Sequence, residues 1–133
     1  MEGAFQLLRQ TSRWARFARV RVQVTPADHT GVEVGPDPFG WRRPLYGPEA
    51  WACGYDDDLR AEAVSGVRYA WERLAGPDRP QVLVVITEIV ERAADTGPGD
   101  VRFAAAHALW EAVGVEPSVR PYLAEDGPPV FPE

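Results

Sequence analysis

The chain has 133 residues, a formal net charge of −6, and 45% hydrophobic and 26% charged residues. This length gives one domain with a substantial core but not two, and the composition is that of an ordinary globular protein. An acidic chain is a poor general nucleic-acid binder, because phosphate neutralisation needs clustered cations. All 14 basic residues are arginines, and seven of them lie in residues 1–50 beside only five acids. A local basic patch in that half could bind RNA, or its arginines merely keep an edge strand soluble.

The cellular location is also constrained by composition. Cys53 is the only cysteine, which excludes an internal disulfide and fits a reducing compartment. No apolar run reaches the roughly 18–20 residues that a membrane span requires. We therefore expect a cytoplasmic protein without a membrane partner.

The first clear pattern is a strict alternation in residues 17–25. Apolar side chains at the even positions 18–24 alternate with Arg19, Arg21 and Gln23. A period of two predicts a strand with one buried face and one solvent-exposed face. A polar turn precedes this strand, and a short strand or turn is expected before the polar turn.

Residues 9–26, RQTSRWARFARVRVQVTP, resemble the opening of domain IV of elongation factor G, the ribosomal translocase. In that family a strand enters with RQT, passes a glycine-rich tip loop, and leaves through an alternating apolar strand that ends in proline. The positions that match without a gap are Arg9, Gln10, Thr11, Phe17, Ala18, Val20, Val22, Val24 and Pro26. The tip loop differs from the family pattern, because Ser12, Arg13, Trp14 and Ala15 replace the glycine-rich run.

A turn and a less regular region follow this strand. The turn around Asp28 leads to Val32 and Val34, which begin a strand that we expect to return antiparallel beside the first. Residues 35–57 combine prolines and glycines, which break long elements, with five aromatic side chains. We expect an ordered loop over one edge of the sheet.

Residues 59–74 change to the period of a helix. The apolar stripe consists of Leu59, Ala63, Val67, Ala70 and Leu74, widened by Val64 and Trp71. Asp56, Asp57 and Asp58 precede the stripe. We interpret them as a helix N-cap rather than a divalent-cation site, because three adjacent aspartates cannot all point at one centre.

The remaining elements are a strand, a helix and a tail. Val82–Val90 is a β-branched apolar run, which predicts a central strand buried on both faces. Asp100–Val113 is predicted to be a helix with Phe103 and Trp110 on its apolar face. The proline-rich tail, residues 115–133, has no period and is expected to lie along the surface or to be partly mobile.

These elements predict an α+β fold, a two-layer sandwich in which a mixed sheet carries two helices on one face. The resemblance covers about residues 9–34 and 59–113. It implies the fold shared with the second domain of ribosomal protein S5, which includes a left-handed βαβ crossover. On this basis residues 1–133 form a single, stand-alone domain IV-like domain, with a core at about residues 5–114.

The resemblance also implies an RNA interface at the tip of the domain. In the family, the loop after RQT and a second loop lie side by side and enter the decoding centre beside the transfer RNA. Here those loops carry Arg13, Trp14, Arg16 and Arg92. Arginine with an exposed aromatic side chain suits phosphate contact and base stacking. The alternative is that Trp14 folds inward and the arginines only solvate a turn.

Other reactive side chains form no recognisable catalytic motif. Cys53, His29 and His107 supply the residue types of a nucleophile and a base, but His107 lies on the shoulder of an apolar helix face, as a structural histidine would. Glu88 and Glu91 stand at a strand end and are expected to be solvated rather than catalytic.

A chain without lysine also lacks a phosphate-binding GxxxxGK[ST] loop. We therefore expect no nucleotide, cofactor or metal and no catalytic residue. The sequence predicts a non-enzymatic, translation-related protein that binds the ribosome or structured RNA through two tip loops. The alternative is a protein-interaction or accessory module that has lost the RNA role.

Overall fold

The computed structural model describes residues 1–11, 15–48, 54–74, 81–125 and 127–133. The strands in these residues are β1 Glu2–Gln10, β2 Ala15–Pro26, β3 Gly31–Val34 and β4 Val82–Val90. The helices are α1 Arg42–Tyr46, α2 Asp56–Glu72 and α3 Asp100–Val113. The molecule is thus a small α+β structure, and the five-residue α1 is the helix in these ranges that the sequence did not predict.

The sheet is mixed and has the strand order β1-β2-β4-β3. β1 and β4 flank β2 in antiparallel pairs, whereas β3 pairs with β4 in parallel, from Gly31 opposite Leu83 to Val34 opposite Ile86. The expectation that β3 returns antiparallel beside β2 is therefore wrong. The longer β4 occupies that edge of β2 with eight residue pairs, and β3 is left to pair with the far edge of β4.

The core lies between one face of the sheet and the pair α2 and α3. Alternate side chains of β2 point into it, and Val20, Val22 and Val24 are fully buried, as the alternation predicted. β4 is central, but Leu83 and Val85 on its second face are only half-buried. The prediction that β4 is buried on both faces is wrong, because both long helices pack on the same side of the sheet. None of the helices in the described ranges is long and apolar enough to cross a membrane.

Residues 35–48 extend the sheet edge beyond β3, and so confirm an ordered segment there. The amide of Gly35 donates to the carbonyl of Ile86 over 2.9 Å, and the amide of Ile89 donates to the carbonyl of Pro38 over 2.8 Å. The indole N–H of Trp41 also bonds the Ile89 carbonyl. Backbone hydrogen bonds and the indole of Trp41 therefore fix this segment to β4. The expectation for residues 49–53 lies outside the described residues.

The tail packs back onto the helix layer. Tyr122 and Val130 form a β-bridge. The Tyr69 hydroxyl and the Arg73 guanidinium both donate to the Pro132 carbonyl. The tail therefore lies along the surface, in line with one of the two expectations for it.

The two long helices approach each other most closely at Gly66 in α2. A Cβ atom on Gly66 would lie 2.2 Å from the carbonyl oxygen of Arg102 and 2.9 Å from the Cβ of Ala105. Gly3 plays the same part for β1, since a Cβ there would lie 2.3 Å from the carbonyl oxygen of Ala108. Both glycines are needed because they let backbones pack where a side chain would not fit.

We expect Gly66→Ala to lower the free energy of unfolding by about 1–3 kcal/mol, the usual range for overpacking. Alanine favours a helix by about 1 kcal/mol over glycine, so the same change in an exposed helix would stabilise the protein. Urea denaturation measures the difference, and Ser65→Ala in the preceding position is the control without a backbone clash. A Gly66→Ala variant as stable as the wild type would contradict the close helix crossing.

Candidate nucleic-acid interface

The second predicted tip loop lies against the start of β2, the strand that follows the first predicted tip loop. The amide of Phe17, near the start of β2, donates to the carbonyl of Asp95 over 3.1 Å. The Thr96 hydroxyl donates to the carbonyl of Phe17 over 2.5 Å, which makes a second link between this loop and β2. Residues 91–99, the second tip loop, are therefore bonded directly to β2. We call residues 11–14, between β1 and β2, the first tip loop.

Arg92 is the exposed arginine of the second tip loop. Its guanidinium carbon lies 4.0 Å from the centroid of the Phe17 ring, in a cation–π arrangement. The backbone around Arg92 is fixed as well, because its carbonyl accepts from the amides of Asp95 and Thr96, each over 2.8 Å. Among the described residues, the structure therefore holds one cationic group at the surface where the second tip loop meets the start of β2.

Arg16 does not belong to the exposed surface. Its side chain is 5% exposed and forms an ion pair with Asp100 at 3.6 Å. It also donates to the carbonyl of Ala124 over 3.1 Å and to the carbonyl of Gly127. Arg16 was expected to point outward and to add positive charge to the tip. Instead, its side chain is buried and links α3 to the tail.

The position of Arg16 in the strand explains this difference. β2 begins at Ala15 rather than at residue 17, so Arg16 shares the parity of Ala18 and Val20, which face the core. Extending the alternation of β2 back from Ala18 to residue 16 places the Arg16 side chain on the buried face. The period-two pattern alone therefore indicates that Arg16 points inward.

Asp100, the first residue of α3, is a buried partner that the sequence did not single out. Its carboxylate is 1% exposed and accepts from the amide of Gly97 over 2.9 Å. Burial raises the pKa of Asp100, while the Gly97 amide and the Arg16 guanidinium oppose that rise. The two side chains lie in the wall of a cleft of about 410 Å³ between the second tip loop, the start of β2 and the tail.

Arg13 and Trp14, the other two predicted RNA-binding residues, lie outside the described residues. They are adjacent in sequence to Ala15, which lines the same cleft. Of the four predicted site residues, the structure thus describes Arg16 and Arg92. Arg16 is buried in an ion pair, whereas Arg92 is exposed.

A second buried charge cluster lies where β4 ends. Arg42 donates to both carboxylate oxygens of Asp56 over 2.9 Å and to Glu91 over 3.3 Å. All three side chains are less than 9% exposed, and the Arg42 guanidinium carbon lies 4.2 Å from the centroid of the Phe39 ring. We call Arg42, Asp56 and Glu91 the Arg42 cluster.

The Arg42 cluster corrects two expectations. Tyr55, not an aspartate, stands at the N-cap of α2 and makes no side-chain cap hydrogen bond, while Asp56 is the first helical residue and pairs with Arg42. Glu91 was expected to be solvated but is buried in the same cluster, whereas Glu88 remains half-exposed near Arg19. The three consecutive aspartates still place negative charge in the first turn of α2, where the helix dipole favours it.

His107 is packed among aromatic rings. Its imidazole stacks on Phe5 with 4.6 Å between ring centroids, and it also contacts Phe103 and Trp110. Burial lowers the pKa of His107, which favours the neutral ring. These contacts give the histidine a packing role. In the described ranges, no group of three or more histidine, cysteine, aspartate or glutamate side chains could hold a metal ion.

Comparison with known proteins supports the fold and does not identify a function. No protein-family model matches the chain, and no curated protein matches it. Among solved structures, the crystal structure of a protein from Thermus thermophilus is similar, with a TM-score of 0.58 and 17% sequence identity. The match covers 80% of this chain and 14% of that chain. At this identity the similarity shows a shared fold alone, and this chain corresponds to a small part of the longer protein.

Proposed function

We propose that this protein binds the ribosome or structured RNA through the two tip loops. The observation that carries the proposal is the contact of the second tip loop with the start of β2, where Arg92 lies over the ring of Phe17 at 4.0 Å. A guanidinium held on an aromatic face keeps its donors available while losing less side-chain freedom on binding. Such a group is suited to contact a phosphate on RNA.

The remaining RNA contacts are assigned to Arg13 and Trp14. They directly precede β2 in the sequence, and Phe17 of β2 is bonded to the second tip loop, which carries Arg92. An arginine supplies a phosphate contact, and a tryptophan supplies a ring on which a base stacks. Arg16 is not a contact in this proposal, because its ion pair with Asp100 supports the loop from inside.

The fold proposed here is that of elongation factor G domain IV and the second domain of ribosomal protein S5. Two features support it. The parallel pair of β3 and β4 is connected through α2, which gives the βαβ unit that this fold requires. The sequence resemblance in residues 9–26 falls on β1, the first tip loop and β2. The left-handed connection of that unit is part of the proposal.

We expect the double variant Arg13→Ala and Arg92→Ala to lose most co-sedimentation with ribosomes at low salt. Each phosphate contact contributes about 0.7–0.9 to the slope of log affinity against log salt concentration, so the wild-type slope should be small and should fall on substitution. Arg120→Ala is the matched control, since Arg120 is exposed and pairs with Glu116 away from the tip. Arg16 is left unchanged because its removal would disturb the fold.

Equal sedimentation of wild type and double variant would contradict the tip assignment. Absence of sedimentation for both would favour the alternative function, a protein-interaction module. One observation favours that alternative: Leu45 and Tyr46 of α1 are 68% and 72% exposed, beside the end of the sheet. Adjacent exposed apolar side chains of this size suit a protein contact better than a phosphate contact.

A further inference from the structure

A groove of about 500 Å³ runs along the outer face of the helix layer, away from the sheet. Three of its lining residues are arginines: Arg60 and Arg68 from α2, and Arg102 from α3. Glu72 is the single carboxylate among the described residues that line it. On a chain with a net charge of −6, this is a local excess of positive charge.

The three arginines differ in how far their charge is already balanced. Arg60 pairs with Asp57 at 3.0 Å, and that carboxylate is 96% exposed. Arg68 is exposed, and Arg102 is half-buried; within the described part of the chain, neither makes an ion pair. The groove therefore offers two cationic groups without a carboxylate partner and a third that is weakly engaged.

Arg102 is held in place before any ligand arrives. Its guanidinium carbon lies 3.9 Å from the ring centroid of Phe131 in the tail and 5.4 Å from that of Tyr69. Its Nε atom is buried without a hydrogen-bond partner among the described residues. A planar guanidinium fixed in this way loses little further side-chain freedom on binding an anion.

The layout of the groove favours a linear ligand that carries several negative charges. Arg60 and Arg68 are eight residues apart on α2, which separates their Cα atoms by about 12 Å along the helix axis. A compact anion would reach only part of this row. The ring of Tyr69 is 7% exposed, beneath Arg73 and Arg102, so it leaves no face on which a base could stack.

We infer that this groove binds the phosphate backbone of an RNA strand, without reading its bases, as a second contact beside the tip. The inference rests on the proposed function for the identity of the ligand as RNA. Guanidinium groups spaced along a groove contact successive phosphates, and the missing stacking surface makes the contact independent of sequence. The groove would thus add affinity to the RNA that the tip selects.

The test measures binding of a fluorescein-labelled ribosomal RNA hairpin with a single-stranded extension, over a series of salt concentrations. We expect Arg68→Glu to weaken binding and to reduce the slope of log affinity against log salt by about 0.7–0.9, the value of one phosphate contact. Ser65→Asp places a negative charge in the same groove and leaves all three arginines intact. It should weaken binding without loss of thermal stability.

Arg120→Glu is the control, because it makes the same charge change at an exposed position outside the groove. Arg68→Glu and Ser65→Asp variants that bind RNA as tightly as Arg120→Glu would overturn the inference. The tip variant Arg13→Ala with Arg92→Ala separates the two claims. If this double variant binds RNA like wild type while the groove variants lose binding, the tip assignment is wrong and the groove assignment is supported. If only the tip double variant loses binding, the groove assignment is wrong and the tip assignment is supported.

Discussion

Replacing Trp110 by alanine should lower the free energy of unfolding by about 3–5 kcal/mol, the range measured for large aromatic truncations in protein cores. Trp110 is 3% exposed, and its indole N–H donates to the carbonyl of Ala70 over 3.0 Å, across the contact between α3 and α2. Its ring also packs edge-on against Tyr69 and His107. The alanine variant loses these contacts and leaves a cavity that the two helices can only partly close.

Trp71 provides the matched control for this experiment. Trp71 widens the apolar stripe of α2, which predicts that it faces the sheet, but it is only half-buried and lines a groove of about 330 Å³ between α2 and β3. Its position on the flank of the helical stripe accounts for the difference. Trp71→Ala should therefore cost clearly less than Trp110→Ala in urea denaturation. Equal losses for the two variants would contradict the assignment of the two helix faces.

The elements that the sequence predicted well are those defined by local periodicity. The alternation around Val20 and Val22 marked the buried face of β2, and the stripe from Leu59 to Leu74 marked the inward face of α2. These patterns are readable because each side chain's direction follows from its position in a strand or helix. The α+β class follows from the same information.

The pairing of β3 was not readable in this way. Val32 and Val34 show that a short strand exists, but not which strand takes the free edge of β2. That choice depends on β4, which lies far along the chain and offers a longer ladder. Which strand pairs with β2 depends on all the strands of the sheet. The local turn around Asp28 therefore wrongly indicated that β3 pairs with β2.

The candidate site shows the same limit. The resemblance places Arg92 in a tip loop, which stays a prediction; the structure shows that its loop is bonded to β2 through Phe17. The inward side chain of Arg16 followed from strand parity, whereas its partners Asp100 and the tail carbonyls depend on tertiary packing. Charged side chains are rarely buried unless they are paired, so a sequence alone predicts that each arginine is exposed.

The Arg42 cluster joins α1, α2 and the end of β4, and removing its cation should be among the most damaging single changes in this protein. Arg42 and Asp56 are 14 residues apart, and Arg42 and Glu91 are 49 apart. Removing one partner of a buried ion pair typically costs about 3–5 kcal/mol, because the remaining charge is left buried without compensation. Here two carboxylates would lose their guanidinium partner.

We therefore expect Arg42→Ala to lower the free energy of unfolding by about 3–5 kcal/mol in urea denaturation, a large share of the stability of a typical domain. Arg43→Ala is the neighbouring control, since Arg43 pairs with Asp37 at the surface with both side chains about half-exposed, and surface pairs contribute little. The double variant Arg42→Ala with Asp56→Ala should lose less than the sum of the two single variants, because each single change already removes the ion pair that the two side chains share. Arg42→Ala and Arg43→Ala variants with equal unfolding midpoints, or strictly additive losses in the cycle, would show that the cluster does not hold these three elements together.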